Sequence, residues 1–514
     1  MASSDAVRPI CRESEGSCAM KECYADIVVA GAGTSGSLCA IAAARCGLRT
    51  VLAERTGLVG GVPSAALMGS FANLMVNTRL QPMTGGIILE LVERLVRAGG
   101  TPYASAEEAV RGKIGKPFTI PFQPALYEHV LIEMLEESGV HLLLNCSVLS
   151  GQSSASGGIC LDFAAGAQRL RVHARVAVDA TGNAEAAALL GAETCQADNI
   201  SYGCLMRIGG VEIEKTLAFL RSSAPWKEDP ALDAWFRQRE EFTAEDAPGG
   251  LKHLLDPVGY DHAPMADRAD RLMNDAKWQY IEERYRAENV LYTLELSLFR
   301  RLIRRAVEKG DFSLVQKTGA GKGVTFNGDG IAYGAWGGGV ALCNIAKPYG
   351  FRAEDAGEAT QAALLAKKYN VMAFRFLKQY VPGFEGSFLL DMGSQAVART
   401  SRMIVGCDDP ESGRDDPVFE EPIYLFGGIH GHQPGCPVPY GKIVCRNLTN
   451  VFAVGKSSSH GGAYRSQISC MSMGVAAAAA AKVICRDHCS SRTISPDRLR
   501  AQLLSMGVEL ETTR

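Results

Sequence analysis

The chain has 514 residues, of which 47% are hydrophobic and 21% are charged, and this composition is typical of a soluble globular enzyme. Its length exceeds what a single hydrophobic core usually serves, so we expect two closely linked domains. The net charge of −3 provides no electrostatic attraction for nucleic acid or for an anionic membrane, and we expect neither as a partner.

The N-terminal residues 1–22 are polar and lack the apolar stretch of a signal peptide, so we expect them to form a disordered tail. The Ala-rich run at 475–483 is too short to span a bilayer, and we expect no membrane span. The sixteen cysteines are scattered without the spacing of a zinc or iron–sulfur site, which favours reduced thiols and no metal. These features predict a cytoplasmic protein.

A dinucleotide-binding βαβ unit is predicted at residues 24–54. An apolar strand leads into Gly31-Ala32-Gly33-Thr34-Ser35-Gly36, a small-residue helix follows, and a second apolar strand ends at Glu54. Gly31 permits the tight turn, Gly33 lets the backbone approach a pyrophosphate, and Gly36 lets helix and strand pack closely. The helix N-terminus offers N–H groups to the phosphates, and Glu54 is placed to accept hydrogen bonds from a ribose diol.

Three later glycine turns are expected to line the same ligand. Gly60-Gly61 follows soon after Glu54, a strand at 174–179 runs into Ala180-Thr181-Gly182, and a strand at 450–454 ends in Gly455. A return strand that delivers a glycine turn beside the first is what a doubly wound sheet needs at its ligand crevice. A helix at 467–486 contains few bulky side chains, so we expect it to pack against the first βαβ unit and its ligand.

The residues at 211–395 have a different character. Tryptophans and mixed charges in helical spacing extend to Lys309, a glycine-dense β-rich segment covers 319–339, and a long amphipathic helix covers 353–380. Gly319-Ala320-Gly321-Lys322 resembles a phosphate loop, but Gln316 stands where the first glycine of that motif should be. No second Gly-x-Gly-x-x-Gly follows a strand, so a separate NAD(P)H domain is not expected.

In this order, the pieces resemble the FAD-dependent oxidoreductase family, whose wider group includes the fumarate reductase and succinate dehydrogenase flavoproteins. The resemblance spans residues 24–483 and rests on the glycine motifs together with Met206–Gly210, Arg399–Gly406 and Asn447–Gly474. It implies an α/β fold: a Rossmann-like FAD-binding domain with a doubly wound sheet, residues 23–210 and 396–486, and an inserted α+β substrate or cap domain, residues 211–395. Residues 487–514 would form a C-terminal tail.

The same resemblance implies that the cofactor is FAD. The first glycine motif would face the pyrophosphate, Glu54 the adenosine ribose, the Gly60-Gly61 loop the ribityl and flavin side, and the turn at 179–182 the adenosine half. The predicted cofactor-binding residues are Gly31, Gly33, Thr34, Ser35, Gly36, Glu54, Arg55, Gly60, Gly61, Thr181, Gly182, Gly455 and Gln467.

One residue departs from the pattern of related flavoproteins. Many of them carry an acid after the last strand glycine to bond the ribityl chain, whereas this chain has Lys456. A cation cannot accept that hydrogen bond, so a backbone group or a serine of 457–459 would take its place. Lys456 would then be either a ligand contact of another kind or a solvated loop residue.

With FAD as cofactor, two classes of function stay open. The first is a flavoenzyme that dehydrogenates or reduces a small organic substrate by hydride transfer at flavin N5. The second is an electron-transfer subunit of a larger redox complex, which the lack of cysteine cluster motifs disfavours. A flavin monooxygenase would need a reductant site that no motif indicates. Neither the substrate nor the oligomeric state is encoded in a recognisable motif.

The catalytic candidates lie between the last strand and the helix at 467–486. His460 could exchange a proton near neutral pH, Arg465 could hold a carboxylate, and Tyr464 lies beside them, although each could instead brace the loop. The N-terminus of the helix would point at the flavin pyrimidine edge and favour the anionic reduced cofactor.

Two further pairs have weaker signals. Arg399 and Arg402 could face a carboxylate, but a structural role is the favoured interpretation. His430 and His432 would share one face of a strand, yet two ligands without a third do not make a metal site. They could instead reach the substrate cavity.

Overall fold

The computed structural model describes residues 11–12, 20–72, 86–111, 119–154, 157–197, 200–239, 274–289, 291–319, 321–326, 331–333, 338–408, 417–426, 436–459 and 465–508. The candidates His430, His432, His460 and Tyr464 lie outside these residues, so their roles stay predictions.

The helices of the described residues are α1 (Thr34–Arg45), α2 (Val62–Ala66), α3 (Gly86–Arg97), α4 (Ala106–Arg111), α5 (Pro124–Glu137), α6 (Glu185–Leu189), α7 (Ile213–Ser223), α8 (Pro230–Arg237), α9 (Asp275–Glu288), α10 (Arg300–Glu308), α11 (Ala356–Tyr380), α12 (Pro417–Glu420), α13 (Gln467–Asp487) and α14 (Pro496–Ser505). Short 3-10 helices occur at Leu296–Phe299, Tyr440–Ile443 and Gly455–Ser457.

The strands are β1 (Cys11–Arg12), β2 (Lys21–Tyr24), β3 (Ile27–Ala30), β4 (Thr50–Ala53), β5 (Ser70–Ala72), β6 (Thr119–Pro121), β7 (His141–Leu143), β8 (Ser147–Ser153), β9 (Ile159–Ala165), β10 (Gln168–Ala174), β11 (Val176–Asp179), β12 (Thr194–Cys195), β13 (Tyr202–Gly203), β14 (Met206–Gly209), β15 (Leu291–Leu294), β16 (Val315–Gly319), β17 (Lys322–Phe326), β18 (Ile331–Tyr333), β19 (Ala341–Cys343), β20 (Ala346–Tyr349), β21 (Phe388–Met392), β22 (Val397–Ala398), β23 (Met403–Ile404), β24 (Pro422–Phe426), β25 (Cys436–Pro439) and β26 (Val451–Ala453).

A five-stranded parallel sheet in the order β26-β11-β3-β4-β7 contains the predicted dinucleotide-binding strands. Every residue of β3, β4, β11 and β26 is buried, as is typical of a parallel sheet with both faces covered. The predicted α/β class is thus confirmed in its mixture of helices with a parallel sheet. Because the strands are parallel, the turns at Gly31, Gly182 and Gly455 all lie at the carboxyl edge of this sheet.

Helix α13 packs directly on α1, as its small residues predict. A Cβ atom on Gly474 would overlap the carbonyl oxygen of Ser35, so the two backbones meet where neither helix carries a bulky side chain. Among the described residues, α13 is the one helix long and apolar enough to cross a bilayer, and 89% of its apolar stretch is buried inside the protein.

A second five-stranded sheet, in the order β1-β2-β10-β9-β8, extends the first core. Lys21 and Glu22 belong to β2, which pairs with β10 and with Cys11–Arg12, so these residues of the expected N-terminal tail are strands. Cys23 is disulfide-bonded, contrary to the expectation of reduced thiols throughout. The spacing of the cysteines along the chain had not indicated that bond.

A separate hydrophobic core runs from Cys204 to Phe384. It contains a five-stranded sheet in the order β15-β18-β19-β14-β21, a three-stranded sheet β16-β17-β20, and the long helix α11. Strand β14 pairs with β19 and β21 in this core, although the predicted boundary after residue 210 assigns it to the first domain. A short apolar strand does not reveal which sheet it joins, because its pairing partners lie far along the chain.

The C-terminal segment contains a helix where a tail was expected. Helix α14 buries Leu499 and Leu503 in the first core and packs on α13. Ser495 precedes Pro496, which occupies the first turn, and this pair is a recognised helix-start signal. The prediction of a tail missed it because the segment is otherwise polar.

Candidate functional site

Two glycines of the first motif are required by the fold itself. Gly31 has a φ of +104°, and a Cβ atom there would lie 2.5 Å from the carbonyl oxygen of Ala180 on the neighbouring turn. A Cβ atom on Gly36 would overlap the carbonyl oxygen of Gly31. Both positions therefore exclude a side chain because β3, α1 and the turn after β11 approach each other closely.

Gly33 is different, because no protein atom explains it. It adopts ordinary extended backbone angles, φ −73° and ψ −175°, and among the described residues the heavy atom nearest to a Cβ atom there would lie 3.9 Å away. Gly33 also precedes the first turn of α1, which no side chain caps. A cradle that a Cβ atom would fill, lined by N–H groups of a helix N-terminus, fits the phosphates of a dinucleotide.

The Gly60-Gly61 loop lies directly against this cradle. Gly33 and Gly60 form a parallel bridge, and the Thr34 hydroxyl donates to the carbonyl oxygen of Gly60 at 3.1 Å. Gly61 has a φ of +67°, and a Cβ atom there would lie 2.8 Å from the Cα atom of Gly33. Two turns predicted to contact one ligand are thus joined in space.

Glu54 closes the other side of the first turn. One carboxylate oxygen accepts from the N–H of Ala32 at 2.9 Å, and the other accepts from the N–H and hydroxyl of Thr56, each at 2.8 Å. Arg55, half exposed, forms an ion pair with Glu185 at 3.2 Å. The carboxylate therefore orders the glycine turn, and its predicted bond to a ribose stays a prediction.

The turn after β11 is organised by the buried carboxylate of Asp179. It accepts from the N–H and hydroxyl of Thr181, at 2.9 and 2.8 Å, and from the N–H of Ala187 at 2.8 Å. Burial raises the pKa of Asp179, while these hydrogen bonds oppose that rise. Gly182 completes the turn with a φ of +81°.

The loop after β26 faces the same edge. Gly455 has a φ of +67°, and a Cβ atom there would lie 3.0 Å from the hydroxyl of Ser35 in the first turn of α1. Lys456 folds over Gly182, and its ammonium donates to the Asn183 side-chain oxygen at 3.0 Å. Burial, together with the positive charge of Arg55, lowers the pKa of Lys456 to about 8. Lys456 is therefore a partly buried residue at the carboxyl edge, packed over Gly182.

At the start of α13, Ser466 caps the helix by accepting from the N–H of Ser469 at 3.3 Å. The Gln467 amide nitrogen donates to the carbonyl oxygen of Ser70 at 2.8 Å, which orients the side chain. Within the described part of the chain, the buried Oε1 atom of Gln467 has no donor. This open acceptor lies beside β5, where the flavin end of the ligand is predicted. Arg465 is half-buried just before the helix.

The second core is attached next to the Gly60-Gly61 loop. The carbonyl oxygen of Ala65 in α2 accepts from the N–H of Gln395 and the hydroxyl of Ser394, each at 3.1 Å. The carbonyl oxygen of Ala66 accepts from the N–H of Leu205 at 3.4 Å. The segments that enter and leave the second core therefore contact the helix that follows Gly61.

A polar cluster at the carboxyl edge, formed by Ser401, Arg402 and Ser457, was not predicted as a group from the sequence. Ser401 donates to the carbonyl oxygen of Gly182 at 3.0 Å, and Arg402 donates to that of Asn183 at 3.1 Å. The hydroxyl of Ser457 accepts from the N–H of Ala184 at 3.0 Å. Arg402 thus has the structural contacts that were favoured for it. The only sequence signal for the cluster was that these residues follow strand ends.

A metal site finds no support among the described residues, where no group of three or more histidine, cysteine, aspartate or glutamate side chains is placed to hold an ion. The arrangement at the carboxyl edge is instead suited to a phosphate-bearing ligand: glycine turns, N–H groups and the partly buried ammonium of Lys456.

Comparisons with solved structures return distant likenesses. A geranylgeranyl bacteriochlorophyll reductase-like protein from Thermoplasma acidophilum is 12% identical, with 94% of this chain and 83% of that chain covered and a TM-score of 0.41. A myxobacterial chondrochloren halogenase is 14% identical, with 93% and 78% covered and a TM-score of 0.39. An aklavinone-11 hydroxylase is 13% identical, with 90% and 63% covered and a TM-score of 0.39.

No protein with a curated description matches the sequence significantly. The family model described as FAD dependent oxidoreductase matches residues 26–408 and 427–503, which is most of the chain and includes every glycine turn of the carboxyl edge. The protein therefore belongs to the FAD dependent oxidoreductase family and is an enzyme with FAD as its cofactor.

Proposed function

We propose that the protein transfers a hydride between flavin N5 and a small organic substrate, and that it does so with a Rossmann-like FAD-binding domain and an inserted substrate domain. The first domain comprises residues 23–210 and 396–486, except that β14 belongs with the substrate domain at 211–395 because of its strand pairing. The proposal goes beyond the family in naming the reaction, the sites and the domain roles.

The diphosphate of FAD would lie over Gly33. No atom of the described residues fills the cradle there, and the N–H groups at the start of α1, which no side chain of these residues caps, provide donors at the positive end of the helix. The adenosine half would extend toward Glu54 and Thr181, and the flavin half toward Gly60, Gly61 and Gln467. This arrangement agrees with the parallel strand order, which brings those residues to one edge.

The flavin pyrimidine edge would meet the start of α13. The Oε1 atom of Gln467 has no donor among the described residues, and the N3–H group of an isoalloxazine is a donor of the required kind. The helix N-terminus adds a partial positive charge that favours negative charge on the reduced ring. Both features favour acceptance of electrons by the cofactor.

The observation that carries the proposal is the attachment of the second core beside the flavin side of the site. The backbone of α2, directly after Gly61, accepts hydrogen bonds from Leu205, Ser394 and Gln395. The second core is therefore held where it can cover a flavin and a small substrate together. An electron-transfer subunit would instead have to present its flavin edge to a partner protein.

Within this arrangement FAD supplies the hydride acceptor or donor at N5. The chain would supply the rest: Arg465, half-buried before α13, would hold an anionic group of the substrate, and His460 or Tyr464 would exchange the proton. The second core would exclude water from the reacting atoms.

The test is anaerobic reduction of the purified holoenzyme, followed by the visible flavin absorbance. We expect a small organic molecule from a panel of alcohols, amines, hydroxy acids and unsaturated compounds to bleach the flavin, or to reoxidise dithionite-reduced enzyme, without another protein. Arg465→Gln should raise the KM for an anionic substrate, with Arg465→Lys as the charge-retaining control.

Other outcomes would replace the proposal. Electron exchange only with a partner protein would indicate a relay subunit. Bleaching by NADPH, followed by consumption of oxygen and formation of a hydroxylated product, would indicate a monooxygenase.

A further inference from the structure

Lys456 is a partly buried cation whose hydrogen bonds, among the described residues, go to neutral groups. Its ammonium has three N–H donors, and it contacts two neutral oxygens, Oδ1 of Asn183 at 3.0 Å and Oγ of Ser401 at 3.5 Å. Within the described ranges, no carboxylate forms an ion pair with it. A buried charge of this kind is costly unless a counter-ion is supplied.

Two acidic side chains, Glu185 and Glu354, act on Lys456 through their charge and raise its pKa, but among the described residues neither forms an ion pair with it. Glu185 accepts from Arg55 at 3.2 Å and from the side chain of Asn183 at 3.2 Å. Glu354 accepts from the backbone N–H of Arg402 at 2.7 Å. The other Glu354 oxygen, Oε2, is buried and has no donor among the described residues, so these carboxylates act on the ammonium through space while its direct contacts are neutral oxygens.

The position of Lys456 identifies what could balance it. The preceding residue, Gly455, lies against the hydroxyl of Ser35 in the first turn of α1, beside the cradle over Gly33. The Lys456 stem covers Gly182: a Cβ atom on that glycine would lie 3.0 Å from Cε of the lysine. Lys456 therefore stands between two of the turns that border the FAD site.

We propose that Lys456 is the cationic partner of the FAD diphosphate. Oxidised FAD is neutral in its ring system near pH 7, so its phosphates are the anionic groups that an ammonium at this edge can meet. The lysine would then serve the phosphates, a different part of FAD from the ribityl chain that the acid of related flavoproteins bonds. The inference rests on FAD and on the location of its site, and it does not depend on the proposed substrate reaction.

The matched variants separate charge from packing. Lys456→Met keeps most of the aliphatic stem over Gly182 and removes the charge, whereas Lys456→Arg keeps the charge. Lys215→Met is the control for the same substitution elsewhere, because Lys215 lies half exposed in α7 and pairs with Glu385 in the second core. Apoprotein of each variant is titrated with oxidised FAD, and binding is followed by quenching of flavin fluorescence.

We expect Lys456→Met to raise the Kd for FAD about ten- to hundredfold, the range of a charge-assisted hydrogen bond. Lys456→Arg should recover most of that loss, and Lys215→Met should bind as the wild type does. The melting temperature of the Lys456→Met apoprotein should be unchanged or higher, because an uncompensated buried charge has been removed.

The pH dependence gives an independent readout. The free protein loses the Lys456 proton above a pKa of about 8, and binding of the diphosphate requires that proton, so the wild-type Kd should be flat below this pH and rise above it. The charged or titratable groups that act on Lys456 are Arg55, Glu185, Glu354 and Cys470, and burial raises the pKa of Cys470 to about 12, above this window. Lys456→Met should show no such rise.

Three results would overturn the proposal. An unchanged Kd for oxidised FAD in Lys456→Met would mean that the cation serves another anion, such as the substrate. A lower melting temperature of that apoprotein with a matching loss of FAD binding, not recovered by arginine, would mean that Lys456 is a structural hydrogen-bond donor. The same rise of Kd with pH in wild type and Lys456→Met would exclude titration of this lysine.

Discussion

The two cores of the protein differ in how closely their helices and strands approach each other. In the first core, the parallel strands and helices α1 and α13 meet through glycine, alanine and serine, and backbone lies against backbone at Gly36 and Gly474. In the second core, large rings fill the space: Phe312 and Phe376 lie 4.8 Å apart, and the indoles of Trp226 and Trp278 stack at 5.2 Å. Large rings also pack in the first core, where Phe71 and Phe122 lie 4.4 Å apart, so the two cores differ in the backbone contacts around the glycine turns and not in their ring content.

This contrast has a general reason. A glycine turn that must admit a phosphate leaves no room for a side chain. The helices and strands around it therefore approach each other backbone to backbone. A core remote from such turns gains stability from buried apolar area and tolerates large rings. Substitutions in the second core should therefore lower mainly the stability of the protein. Substitutions at the glycine turns of the first core should show effects on stability and on FAD binding that can be told apart.

The largest effect is expected in the second core. Phe376 is 1% exposed and contacts the rings of Phe312 and Tyr380, so Phe376→Ala should lower the stability of that core by about 3–5 kcal/mol through lost burial and a cavity. Calorimetry of the apoprotein should show this loss in one transition. If Phe376→Ala weakened FAD binding as strongly as it lowered stability, the second core would contribute to FAD binding, contrary to this prediction.

Next in size is a clash in the first core. Gly36→Ala places a Cβ atom onto the carbonyl oxygen of Gly31, and neither backbone segment can move without disturbing β3 or α1, so a loss of roughly 3 kcal/mol is expected. Gly319→Ala in β16 is the control, because nothing lies within 4 Å of its Cβ position. Equal melting temperatures for both variants would contradict the geometry of the glycine turn.

The smallest effect on stability and the sharpest on function are expected at Gly33. Alanine fits its backbone angles and comes no nearer than 3.9 Å to an atom of the described residues, so apoprotein stability should change by less than about 1 kcal/mol. The new methyl group would occupy the cradle, and FAD binding measured by fluorescence should weaken by about tenfold or more. Tight FAD binding by Gly33→Ala would place the diphosphate elsewhere.

Local chemistry made the cofactor edge predictable. Glycine spacing, an apolar strand before it and an acid after the next strand are all short-range signals, and the structure joins Gly33, Gly60 and Gly61 as expected. The small-residue helix could be assigned to the first βαβ unit because only another small surface accepts it. Burial of Gln467 beside Ser70 follows the same geometry.

Long-range contacts were beyond such reasoning. Nothing local indicates that β14 joins β19 and β21, or that Leu499 docks in the first core, because these pairings depend on chain segments far away. The carboxylate of Glu54 shows the same limit, since its protein partners in the first turn become visible only when that turn is folded.

The sequence by itself determined the family and the cofactor, because a ligand that touches backbone imposes glycine at set intervals along the chain. Only the tertiary structure decided where Lys456 lies. A loop lysine in the sequence becomes a partly buried ammonium that covers Gly182 and donates to Asn183, because its burial and its contacts arise from segments that meet only when the chain folds.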